Sequence, residues 1–136
     1  MERLLNMDCD IKTVSVSALA FIGDSVYDML SREYLVCTAH EKSGQLHGRA
    51  VKMVNAGAQA AAVEVILPLL SEEEETVLKR GRNSHSSRVP RNATVSHYRT
   101  ATGLETLFGF LYLTGRLDRI RELFYIIVKE NSSLRD

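Results

Sequence analysis

The sequence predicts an all-α fold, a single bundle of about five to seven helices in one domain spanning residues 1–136. Three observations carry that reading. Apolar residues recur at three- and four-residue steps through most of the chain. Period-two alternation occurs only briefly, at Thr13 to Ser17. The 136 residues, 45% hydrophobic and 25% charged, have a globular composition and the length of one domain.

The elements follow in order. From Val16, the residues Leu19, Ile22, Val26, Met29 and Leu30 form the apolar stripe of a long helix reaching the Tyr34 to Val36 region. Ser43 is placed to cap a second helix, in which Leu46, Ala50, Met53, Val54, Ala58, Ala61, Ala62 and Val65 keep one rhythm until Pro68 stops it. Ser71 and Glu74 have capping-box spacing; Glu72 to Glu75 suit the start of a short helix and Lys79 and Arg80 its end, before Gly81. Gly, Asn, Ser and Pro from Arg82 to about Thr94 predict an irregular connection. A helix then runs from Val95 or Ser96 through Leu113 and ends at Gly115. A last amphipathic helix from Leu117 to about Lys129 turns Ile120, Leu123, Phe124, Ile127 and Val128 inward, and residues 131–136 are expected to fray.

The composition narrows the function classes. Lys and Arg number 17, as do Asp and Glu, so no overall basic field points to nucleic acid. Asp24, Glu64 and Glu105 interrupt the apolar stretches before they reach membrane-spanning length, and no basic, then apolar leader opens the chain. A soluble cytoplasmic protein with no membrane partner is expected. Cys9 and Cys37 lie far apart, which fits reduced thiols, and Cys37 is expected in the core. The four histidines lack zinc-site spacing, and the chain has no P-loop, nucleophile elbow or dinucleotide glycine fingerprint.

Charge placement is more informative than charge total. Asp24 is the only charged residue between Thr13 and Tyr27, and Glu105 the only one between Thr100 and Gly115. A carboxylate inside an apolar helix requires a cation, several hydrogen bonds or a proton. Two such acids converging from two helices repel unless a hard cation sits between them, and Mg²⁺ commonly takes one or two protein carboxylates. The alternative is that each acid faces outward or pairs separately with Lys or Arg. Asp28, one turn beyond Asp24, either joins that site, orients a water there or is solvated.

The neutral total also hides a segregated basic stretch. From Thr76 to Leu104 there is no Asp or Glu, while Lys79, Arg80, Arg82, Arg88, Arg91 and Arg99 supply six positive charges, with Asn83 and several serines among them. Such a mixture suits phosphate oxygens and ribose hydroxyls, and it leads directly into the helix carrying Glu105. The competing reading is a solvated loop.

The residues from Ala18 to Asp28, Ala-Leu-Ala-Phe-Ile-Gly-Asp-Ser-Val-Tyr-Asp, resemble the signature helix of the ribonuclease III family. Ala101 to Leu113 resembles that family's second acidic helix, in the right order and at the right spacing. The short length, the Gly81-Arg82-Asn83 opening, Gln45-Leu46-His47 and the lack of a following double-stranded-RNA-binding domain make the chain similar to the Mini-ribonuclease III branch. The resemblance implies the family's helical endonuclease domain, a homodimer that cuts double-stranded RNA with Mg²⁺ and leaves 5′-phosphate and 3′-hydroxyl ends. It implies a role in maturing 23S ribosomal RNA precursors, with a ribosomal protein or pre-ribosomal particle as a further partner. Asp24 and Glu105 match metal-binding catalytic acids, and Phe21 matches the aromatic residue packed across the dimer interface. Two of the family's usual four acids are absent, because Ala20 and Thr102 stand at their positions. That departure leaves open an inert factor that binds duplex RNA during ribosome assembly. A plain helical interaction module and a hydrolase acting on nucleotides are weaker alternatives.

Overall fold

The structure, a computed structural model, describes residues 2–40, 42–84 and 94–130. The described residues form six α-helices and no strand: α1 (Val16–Thr38), α2 (Ser43–Val54), α3 (Ala56–Ile66), α4 (Glu72–Arg82), α5 (Val95–Leu113) and α6 (Leu117–Glu130). Short 3₁₀ turns at Ile11–Thr13 and Leu67–Leu69 precede α1 and follow α3. No single helix among the described residues is long and apolar enough to cross a membrane. The expected frayed end lies outside the described residues.

Local chemistry sets most helix ends. Ser15, Asn55, Ser71 and Thr94 each accept a hydrogen bond from a backbone N–H in the first turn of the following helix, filling donors that have no partner within the helix. At Ser71 the capping box closes both ways, with the Glu74 carboxylate accepting from the Ser71 N–H. Helix α5 stops in a Schellman turn: Gly115 has φ 74°, its N–H reaches the Tyr112 carbonyl, and the Arg116 N–H reaches Leu111.

Two expected boundaries are corrected. The single helix expected from Ser43 to Pro68 is two, α2 and α3, with a 54° bend between them. Asn55 takes an extended backbone and caps α3, a local event that the uninterrupted apolar rhythm conceals. Lys42, and not Ser43, occupies the cap position of α2. Gly81 does not end its helix: α4 runs on through Arg82, and Gly81 is buried against the Thr106 side chain of α5.

Helix α5 is the centre of the bundle, packed by α1, α3, α4 and α6, with nine residues from Ala101 to Leu111 buried. Tyr27 of α1 meets Phe108 of α5 and Phe124 of α6 edge to face, at 5.2 and 5.7 Å between ring centres. The closest approach is made by glycines. A Cβ on Gly23 would lie 1.6 Å from the Glu105 carbonyl oxygen, and one on Gly109 would lie 2.0 Å from that of Leu19. Helices α1 and α5 therefore touch backbone to backbone.

On the far side, Arg119 of α6 donates two 2.9 Å hydrogen bonds to the buried Glu74 carboxylate and one of 2.8 Å to the Leu69 carbonyl. This fork holds Glu74 well below the ordinary carboxylate range and fixes the acidic end of α4.

Candidate active site

Asp24 follows Gly23, and Glu105 supplies the carbonyl that Gly23 touches. The glycine contact of α1 with α5 thus brings the two acids together. Their side chains are in hydrogen-bond contact, with Asp24 exposed at the surface and Glu105 half-buried beneath it. Burial pushes the Glu105 carboxyl up to about 8, the negative charge of Asp24 and the hydrogen bond between them add to the rise, and the Gln59 carboxamide opposes it. Without a cation, these effects favour the neutral form of the Glu105 carboxyl. Of the alternatives open in the sequence, outward-facing acids and separate Lys or Arg partners, neither describes Glu105.

The donor set fits a hard cation: two carboxyl groups in contact, one at the surface, beside the polar side chain of Gln59. No group of three or more His, Cys, Asp and Glu side chains suited to a metal occurs among the described residues. The site therefore offers two carboxylates and no third, consistent with Ala20 and Thr102. Asp28 does not join the pair; its carboxylate accepts from Arg32 at 3.0 Å, one turn further along α1.

The basic residues divide. Arg82 and Asn83 at the end of α4 and Arg99 in α5 line one cleft, of about 430 Å³, with Ser96 and Thr100. Arg99 precedes Glu105 by six residues, about 9 Å along the helix. Lys79 is engaged by Glu75 at 3.1 Å, and Arg80 is exposed beside it. Arg88 and Arg91 lie outside the described residues. Phe21 is 82% exposed, one turn before Ser25 at the edge of a groove of about 680 Å³ between α1 and α6, with Met29, Tyr34 and Tyr125 along it. Cys37 is not in the core; it is exposed and lines the same groove.

Sequence reasoning missed Gln59. A polar residue in an alanine-rich helix reads as solvent-facing, yet Gln59 is 3% exposed.

The Ribonuclease III domain matches residues 17–116. The Mini-ribonuclease 3 of Enterococcus faecalis is 42% identical over 123 residues, covering 89% of this chain and 93% of its own length. That of Thermoanaerobacter sp. is 41% identical, covering 88% of this chain and 84% of its own length. A protein from Fusobacterium nucleatum with a crystal structure superposes with a TM-score of 0.81 at 31% identity, over 90% of this chain and 99% of that one. Asp24 and Glu105 on two packed helices, a glycine contact that joins those helices and relatives matching over most of the length agree: the chain belongs to the ribonuclease III family of endoribonucleases, alongside its Mini-ribonuclease 3 members.

Proposed function

We propose that this protein is a Mg²⁺-dependent endonuclease that cuts double-stranded RNA, leaves 5′-phosphate and 3′-hydroxyl ends, and acts in the cytoplasm on 23S ribosomal RNA precursors as one domain spanning 1–136. The observation that carries it is the contact between Asp24 and Glu105 on crossing helices. Burial and the Asp24 charge disfavour the ionised Glu105 unless a cation is present, and Glu105 lies about 9 Å along α5 from a cleft with two arginines. The end chemistry and the ribosomal precursor rest on the family resemblance alone.

Asp24 and Glu105 would hold Mg²⁺, which supplies Lewis-acid stabilisation of charge on the scissile phosphate and an activated water. A bound cation would favour the ionised form of Glu105, which burial and the Asp24 charge otherwise disfavour. Arg82, Asn83 and Arg99 would take phosphates of the same strand, with Lys79, Arg80, Arg88 and Arg91 adding to a field that follows an A-form backbone by shape.

A long perfect RNA duplex incubated with and without Mg²⁺ tests this reading. Cutting only with the ion is expected. Duplex binding without cutting would favour the inert assembly factor, which the two-acid donor set supports, and neither binding nor cutting would return the chain to an interaction module.

Exposed Phe21 and the adjoining groove make one apolar face, which supports a homodimer through α1 and α6. Phe21→Ala is expected to shift the sedimenting species towards monomer, and an unchanged dimer would exclude an essential role for that ring.

A further inference from the structure

A second basic run without acid precedes the one from Thr76 to Leu104. From Lys42 to Val63 there is no Asp or Glu, while Lys42, Arg49 and Lys52 are cationic and His47 lies among them. This run forms α2 and most of α3, so α2 carries no acid to pair with its own cations. Elsewhere such pairs form: Arg32 of α1, Lys79 of α4 and Arg121 of α6 each meet a carboxylate one turn away on their own helix. Lys42, His47 and Lys52 are exposed, along a helix of 12 residues and about 18 Å.

The fold brings this helix to the site. Asn55 turns α2 into α3, and Gly57 sets that corner against the first turn of α5: a Cβ on Gly57 would lie 3.5 Å from the Asn55 Oδ1 and 3.7 Å from the His97 Nδ1. His97 is exposed there, and Lys52 is one turn of α2 before Asn55. Around α5, at about 100° per residue, Glu105 lies about 80° from His97 on one side and about 120° from Arg99 on the other. The acid pair is thus flanked by the Arg82–Arg99 cleft on one side and by His97 with α2 on the other.

We propose that α2 and His97 form a second phosphate-binding arm, which holds the backbone of duplex RNA on the opposite flank of the acid pair from the Arg82–Arg99 cleft. The proposal rests on the reading of the protein as a nuclease of double-stranded RNA and adds to it a second set of contacts. Lys42 and Lys52 would neutralise phosphates, and the His97 imidazole would meet a phosphate or a ribose hydroxyl nearer the acids. A duplex held on both flanks is aligned over Asp24 and Glu105, whereas one held by the cleft alone can swing about it.

The test is binding of a fluorescent RNA duplex of about two helical turns, read by anisotropy in the Asp24→Asn chain so that the RNA stays intact. Lys42→Gln with Lys52→Gln is expected to bind about tenfold more weakly at about 50 mM salt and nearly as tightly as the starting chain at about 200 mM, because two fewer phosphates are neutralised and the log–log salt slope falls by about two. In the active protein the same double variant should raise KM on duplex RNA and leave kcat unchanged, as should His97→Gln. Lys12→Gln with Lys129→Gln removes the same charge from exposed positions ahead of α1 and on α6 and is expected to bind like the starting chain. An unaltered affinity and slope in the α2 double variant would overturn the proposal and leave its charge to another partner, such as an acidic protein, while duplex cutting kept the nuclease reading standing. An equal loss in the Lys12 and Lys129 control would overturn it too, by showing that net charge and not α2 sets the affinity. A protein that neither binds nor cuts the duplex would overturn both readings.

Discussion

Asp24→Asn and Glu105→Gln are each expected to cut duplex RNA at least about a hundredfold more slowly while circular dichroism shows an unchanged helical fold. Either change leaves one ionisable carboxyl to hold the ion, and the sequence supplies no replacement at Ala20 or Thr102. Initial rates at saturating Mg²⁺ measure the effect, and a rate within threefold of the parent in either variant would remove that acid from the chemistry. Stability should move in the opposite direction to activity. The folded protein binds the Glu105 proton more tightly than the unfolded chain does. This contribution to stability is therefore complete below the ordinary value of 4.5 and is lost as pH rises through about 8. Glu105→Gln escapes that loss. Without Mg²⁺ it should melt higher than the parent at pH 8 to 9 and alike near pH 4. At about 1.4 kcal/mol for each tenfold change in proton affinity, the gain has a ceiling of roughly 4 to 5 kcal/mol. Asp24→Asn should gain less, because burial, the largest cause of the rise, stays in place.

Gly23→Ala is expected to disrupt the protein itself. The added methyl would meet the Glu105 carbonyl oxygen at 1.6 Å, its carbon at 2.5 Å and the Gly109 nitrogen at 2.8 Å. All three are backbone atoms inside helices, so no rotamer change relieves the clash and α1 must lift from α5. Overpacking of ordinary cores costs about 1 to 3 kcal/mol. A backbone contact this close should exceed that range, a large share of the 5 to 15 kcal/mol that holds a typical domain together. Gly48→Ala is the matched control, since a Cβ there meets nothing within 4 Å on exposed α2. It should be neutral or stabilise by about 0.5 to 1 kcal/mol through helix propensity. Equal melting temperatures for the two variants would show that the α1–α5 contact has slack.

The sequence made the central features legible where a single residue breaks a pattern. One charge in each of two apolar stretches, between Thr13 and Tyr27 and between Thr100 and Gly115, marked Asp24 and Glu105, and the switch from acidic Glu72–Glu75 to basic Lys79 and Arg80 marked α4. Features that depend on a partner element were not legible. Asn55 breaks a helix through its own side chain while the alanine rhythm continues past it. Gly81 has the look of a terminator but is the small residue that admits Thr106. The burial of Gln59 shows only once α3 is laid against α5. The pairing of Asp28 with Arg32 was a local i, i+4 possibility that the neighbouring acid overshadowed.

Burial of α5 on nearly every side has a kinetic corollary. Backbone amides of a helix enclosed by four others exchange with solvent through openings that approach global unfolding, whereas ends and surface helices open locally at smaller free energy. Glu105 sits on that slowest segment. Fraying therefore does not release it from Asp24, and the electrostatic tension between them is retained for as long as the molecule stays folded. The candidate site is preorganised by the same enclosure that makes its metal-free, ionised form unfavourable.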